Sequence, residues 1–83
     1  MPKTLRTERQ LRLIELLALY RKDAGMSQAS VAEALGRYQS VIAAMESGSR
    51  RIDVVEFLDL AEVIGFDVHG FIDLLLQTPR QPV

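Results

Sequence analysis

The chain has 83 residues, 48% of them hydrophobic, with no cysteine, a single histidine and a formal charge of -1. That length suits one small folded domain and is too short for two. Without cysteine there are no disulfides or thiolate metal sites, and one histidine cannot assemble the usual zinc ligand sets, so no metal or cofactor is expected.

Charge is unevenly spread. Residues 1–22 hold six Lys or Arg against two Glu, whereas residues 53–83 hold six acids against one Arg. A pI near 5.7 is not that of a uniformly basic nucleic-acid binder. The polarity still lets one end approach phosphates while the other faces away, although solvated helix faces alone would leave the same pattern. The opening "MPKTLRTERQ" lacks the apolar core of a secretory signal. The stretch "LRLIELLALY" is interrupted by Arg12 and Glu15, and it falls short of the roughly 20 residues that span a bilayer. A soluble, cytoplasmic protein without a membrane partner is expected.

Nothing alternates with the period of two of a half-buried strand, while glycines and cap residues divide the chain into helical pieces. Residues 1–6 read as a flexible tail. Thr7 opens a first helix whose Leu13, Leu16, Leu17, Tyr20 and Ala24 recur at helical spacing until Gly25 ends it. Ser27 caps a second, "QASVAEAL", closed by Gly36, and a third lies within "YQSVIAAMES", ended by Gly48. Asp53 with Glu56 three residues on predicts a fourth helix running to Gly65, with a core face of Val54, Phe57, Leu58, Ala61 and Ile64. Asp67 caps a fifth, "VHGFIDLLLQ", whose core face is assigned to Val68, Phe71, Ile72 and Leu75. Residues 77–83, polar and proline-containing, read as a C-terminal tail.

The stretch Gln28–Glu46 carries a further constraint. Val31, Ala32 and Leu35 line one face of the second helix and Ile42 and Met45 the matching face of the third. Ala32 is small where two helices cross closely, and Gly36 tolerates the positive φ of a tight turn. Through "GMSQASVAEALGRYQSVIAAMESGSRR" and "IDVVEFLDLAEVIGFD" the chain resembles the Cro/repressor type of helix-turn-helix domain, the XRE family, over roughly residues 10–76. The resemblance implies an all-α, compact five-helix domain over residues 7–76 that docks its third helix in the major groove of double-stranded DNA.

The same resemblance assigns roles. Arg21 and Glu46 match positions that form an internal ion pair. Gln28 matches a phosphate-contacting position at a helix start, where anions are favoured in any case. Gln39 and Ser40 match positions that reach base edges, and a glutamine amide suits adenine because it both donates and accepts. Arg37, Arg50 and Arg51 flank the reader in loops, where a guanidinium can clamp phosphate. Two departures stand out. Tyr38, a poor cap, stands where the family usually has Ser, Thr or Pro, beside the DNA backbone. Ala43 and Ala44 face the bases without hydrogen-bonding groups, although alanine can touch a thymine methyl.

Catalysis is not expected: His69 stands alone, and Asp59 and Glu62 read as solvated charges. Val55, Val63, Leu74 and Leu76 are apolar residues beyond the expected core, and such surplus marks an interface. A homodimer through Leu74 and Leu76 on a palindromic operator accounts for it. An antitoxin-like module, binding a toxin-like protein first and an operator second, is the alternative.

Overall fold

The computed structural model describes residues 7–81, so the expected tail at residues 1–6 lies outside the described residues. Five helices follow one another: α1 (Glu8–Asp23), α2 (Gln28–Leu35), α3 (Gln39–Ser47), α4 (Val54–Ile64) and α5 (Val68–Leu76). Their starts follow from side-chain chemistry. Thr7, Ser27, Asp53 and Asp67 each accept a hydrogen bond from a backbone N–H of the first turn, which satisfies a donor the helix cannot. At α4 the carboxylates of Asp53 and Glu56 cap each other's backbone N–H groups reciprocally. Tyr38 makes no such bond at the start of α3, as its side-chain chemistry implies.

Helices α2 and α3 pack against each other across the turn at Gly36, whose φ of +69° lies in the left-handed region. Gly48, at φ +81°, ends α3 and has a second reason to lack a side chain. A Cβ there would sit 3.2 Å from Ile14 Cδ1, so the glycine lets the end of α3 approach α1. Leu16, Leu17, Val31, Ala32, Ile42, Met45, Phe57, Leu60 and Phe71 form the core. Beside them Tyr20, Phe57, Phe66 and Phe71 make an aromatic cluster with ring centroids 4.8–5.7 Å apart.

Two helices are rotated from the orientation expected of their sequences. On α4 the buried residues are Phe57, Leu60 and Ala61, while Leu58 is exposed and Val54 is 72% exposed. On α5 Phe71 is fully buried and Leu74 packs against the core with Leu75, whereas Ile72 is exposed. Both helices are apolar around most of their circumference, so several stripes of i, i+3, i+4 spacing compete. An apolar residue stands just upstream of each helix. Ile52 and Phe66 each precede the cap residue and stand five positions before Phe57 and Phe71, the spacing of a hydrophobic staple. Phe66 and Phe71 lie 4.8 Å apart, and Ile52 and Phe57 line one groove. Leu74 is half-buried in the molecule, and Leu76 is exposed. Ala24 caps α1 from outside its last turn and is exposed instead of lining the core.

The segment after α5 folds back on the start of α1. Gln81 O accepts from Glu8 N at 2.8 Å and Thr78 O from Arg9 Nε at 3.1 Å. Among the described residues no helix is long and apolar enough to cross a membrane.

Candidate nucleic-acid interface

Helix α3 buries Ile42 and Met45 against α1 and α2, and this fixes which of its residues face outward. Gln39 and Ser40 stand exposed on its first turn, and Tyr38, just before them, is 82% exposed. Ala43 and Ala44, one turn on, are half-buried. Beyond the helix, Ala44 O accepts from the N–H groups of Ser49 and Arg50 at 3.1 and 3.3 Å, and the Ser47 and Ser49 hydroxyls lie 3.1 Å apart. The chain thereby turns sharply and brings Arg50 back beside α4.

A buried ion pair braces the helix from behind. Arg21 Nε and Nη2 donate to the two carboxylate oxygens of Glu46 at 2.7 and 2.9 Å, and Arg21 Nη1 donates to Met26 O at 2.9 Å. Gln28 Nε2 donates to Glu46 Oε1 at 2.9 Å, so α1, α2 and α3 meet at one carboxylate. Burial pushes the Glu46 carboxyl up, but the hydrogen bonds from Arg21 and Gln28, with the nearby charges of Arg21 and Lys22, outweigh it and hold the group below its usual range. The Arg21 guanidinium is raised in turn, chiefly by its bond to Glu46.

A second carboxylate gathers the arginines at the flanks. Arg50 Nη1 and Nη2 donate to Glu56 Oε1 and Oε2 at 3.0 and 2.6 Å, and Arg37 Nη1 reaches Glu56 Oε2 at 3.5 Å. Glu56 also accepts from Asp53 N at 3.1 Å as part of the α4 cap. The Arg50 bond, and after a smaller opposing effect of burial the Asp53 N–H, hold the Glu56 carboxyl at about 2.

A short helix presenting two polar side chains at its start, braced from behind and flanked by arginines, is the arrangement of a major-groove reader. A family model of the helix-turn-helix domain matches residues 9–70. The fold is also that of an XRE-family like protein from Pseudomonas syringae pv. tomato str. DC3000, with 38% identity, a TM-score of 0.79, and cover of 83% of this chain and 84% of that one. The chain belongs to the XRE family of helix-turn-helix proteins. No curated protein matches it.

Most of the residues expected at the DNA face of this XRE-family protein do gather around α3: Arg37, Tyr38, Gln39 and Ser40 at its start, Arg50 and Arg51 beyond its end. Gln28 differs, because its side-chain amide is turned inward to Glu46. As the first residue of α2 it still presents a backbone N–H without an intrahelical acceptor. Leu74 and Leu76 lie on a different helix, α5, and only Leu76 is exposed. Glu56, which organises the flank, is recognisable in sequence as a cap residue but not as the partner of Arg50, because no helical spacing links the two. Among the described residues no three His, Asp or Glu side chains gather where they could hold a metal ion.

Proposed function

We propose that this protein is a cytoplasmic, sequence-specific transcriptional regulator that represses as a homodimer on a palindromic operator and carries no catalytic step. The observation that carries this reading is the exposure of Gln39 and Ser40 on the first turn of α3, with Arg37 and Tyr38 beside them, in an XRE-family fold. In that arrangement the first turn of α3 enters the major groove. Gln39 bonds an adenine edge, Ser40 reads its neighbour, and Ala43 and Ala44 offer only methyl contact. Arg37, Tyr38, Arg51 and the Gln28 N–H reach the phosphates on either side.

The experiment is selection of bound sequences from a random duplex library at physiological salt. A two-fold symmetric sequence should emerge, its half-sites about one helical turn apart. No enrichment over the starting library would sink the reading.

The homodimer is supported by apolar side chains left in solvent: Val54, Val55, Leu58, Ile72 and Leu76, which is 65% exposed. Replacing Leu58 and Leu76 together by Glu should yield a folded monomer that binds DNA weakly. A native chain that sediments as a monomer, alone and on DNA, would remove the dimer. Leu74 is a poor choice for this test because it packs against the core.

An antitoxin-like protein-interaction module is the second reading, favoured by the alanines in the second turn of α3. Recovery of a stoichiometric complex with the product of the adjoining reading frame, together with no enrichment in the selection, would favour it.

A further inference from the structure

The cations around α3 are not equally available to phosphate. Arg37 has one contact to Glu56, at 3.5 Å, the limit of a hydrogen bond. Arg50 is held far more firmly. Its Nη1 donates to Glu56 Oε1 at 3.0 Å and to Arg51 O at 3.3 Å, and its Nη2 donates to Glu56 Oε2 at 2.6 Å, so three of its five N–H donors are engaged within the chain. Glu56 is itself fixed, because the same carboxylate caps Asp53 N, and its side chain is only 14% exposed. A bidentate guanidinium–carboxylate pair of this kind offers the same two-pronged geometry that a phosphate would. The carboxylate has a further advantage, because it is held six residues away in the same chain and does not have to be recruited from solution.

We propose that Glu56 sets the DNA affinity of this protein by keeping Arg50 as its own counter-ion, so that Arg50 does not add a phosphate contact when α3 docks. The proposal rests on the DNA-binding reading above and extends it to a residue that touches no base. Non-specific affinity comes from cations that release counterions from phosphate. Withholding one such cation lowers the affinity of each subunit for every duplex and leaves sequence preference to Gln39 and Ser40. A single subunit then binds weakly, and tight binding needs two.

The test is fluorescence anisotropy over a range of salt concentrations, with a selected duplex and a scrambled one. Glu56→Gln keeps an amide oxygen to cap Asp53 N and loses the charge. It should steepen the slope of log affinity against log salt by about 0.9 per subunit and tighten both complexes roughly five-fold per subunit at physiological salt. Glu62→Gln, which removes the same charge elsewhere on α4, should leave the slope as it is. Arg50→Ala in the native background should also leave the slope unchanged, whereas in the Glu56→Gln background it should abolish the gain. The Arg50→Ala measurement in native protein does not depend on how well the Glu56→Gln variant folds. A shallower slope there means that Arg50 already sits on phosphate and overturns the proposal, as does a Glu56→Gln slope no steeper than native. If no duplex is bound by either protein, the DNA-binding reading falls and takes the proposal with it. If native protein binds but Glu56→Gln changes nothing, only the proposal falls.

Discussion

Two arginine–glutamate pairs adjoin α3, and their local geometry is nearly the same. Arg21–Glu46 bonds at 2.7 and 2.9 Å and Arg50–Glu56 at 2.6 and 3.0 Å, each through two parallel contacts. What separates them is water. The two glutamates are alike, Glu46 at 12% and Glu56 at 14% exposed, but Arg21 is 10% exposed and Arg50 36%. In the inner pair both ions have left water and each depends on the other, so the contact is structural. In the outer pair the arginine remains partly hydrated, so the contact is worth less to the fold, and its consequence is that one cation beside α3 is already paired. Bond length is therefore a poor guide to what an ion pair does, and burial a better one.

The largest test of this contrast is Arg21→Met, which strands the Glu46 carboxylate and should cost about 3–5 kcal/mol in urea unfolding. A loss below about 1 kcal/mol, the range of an exposed pair, would show that the two pairs are alike. Glu46→Gln keeps hydrogen-bonding groups for Arg21 and Gln28 but gives up the charge, and it should cost about 1.5–3 kcal/mol by the same measurement. Glu56→Gln should cost less than Glu46→Gln, and 1 M salt should reduce that deficit as the Debye length falls to about 3 Å. The Arg21→Met deficit should persist in the same salt.

The smallest effect is in the pH dependence of stability. Because the Glu56 carboxyl is held at about 2, below its unfolded value of 4.5, its contribution is complete above the unfolded value and is lost as pH falls towards the folded one. The stability difference between native protein and Glu56→Gln should accordingly shrink between pH 4.5 and about 2. A difference that grows on acidification would contradict the assignment.

The helices and their caps are legible in the sequence because a cap is local: Ser27 and Asp53 declare themselves by residue type and by the helical pattern that follows. The Arg21–Glu46 pair comes from the family resemblance, since no spacing rule joins α1 to the end of α3. The rotations of α4 and α5 are not legible in the same way. Both helices are apolar around most of their circumference, so spacing alone does not choose between Val54, Leu58 and Ile72 and the residues the structure places in or against the core, Leu60 and Leu74. Arg50–Glu56 is hidden for a different reason. It joins a loop to a helix, and only the turn at the end of α3 brings the two together. The return of residues 78–81 to α1 rests partly on a backbone–backbone hydrogen bond, Glu8 N to Gln81 O, which a side-chain pattern does not record.

The placement of the tyrosines has a practical use. The chain has no tryptophan and two tyrosines, so its intrinsic ultraviolet signal above the peptide bands comes chiefly from Tyr20 and Tyr38. Tyr20 lies 5.1 Å from Phe66 and 5.5 Å from Phe71 between ring centroids, in an asymmetric environment that exists only when the helices are packed. Tyr38 stands in water at the first turn of α3. Near-ultraviolet circular dichroism therefore follows packing through Tyr20, while quenching of Tyr38 emission by iodide reports access to the start of α3. A Tyr20→Phe chain isolates the second signal, giving a label-free reporter at the proposed DNA-binding surface.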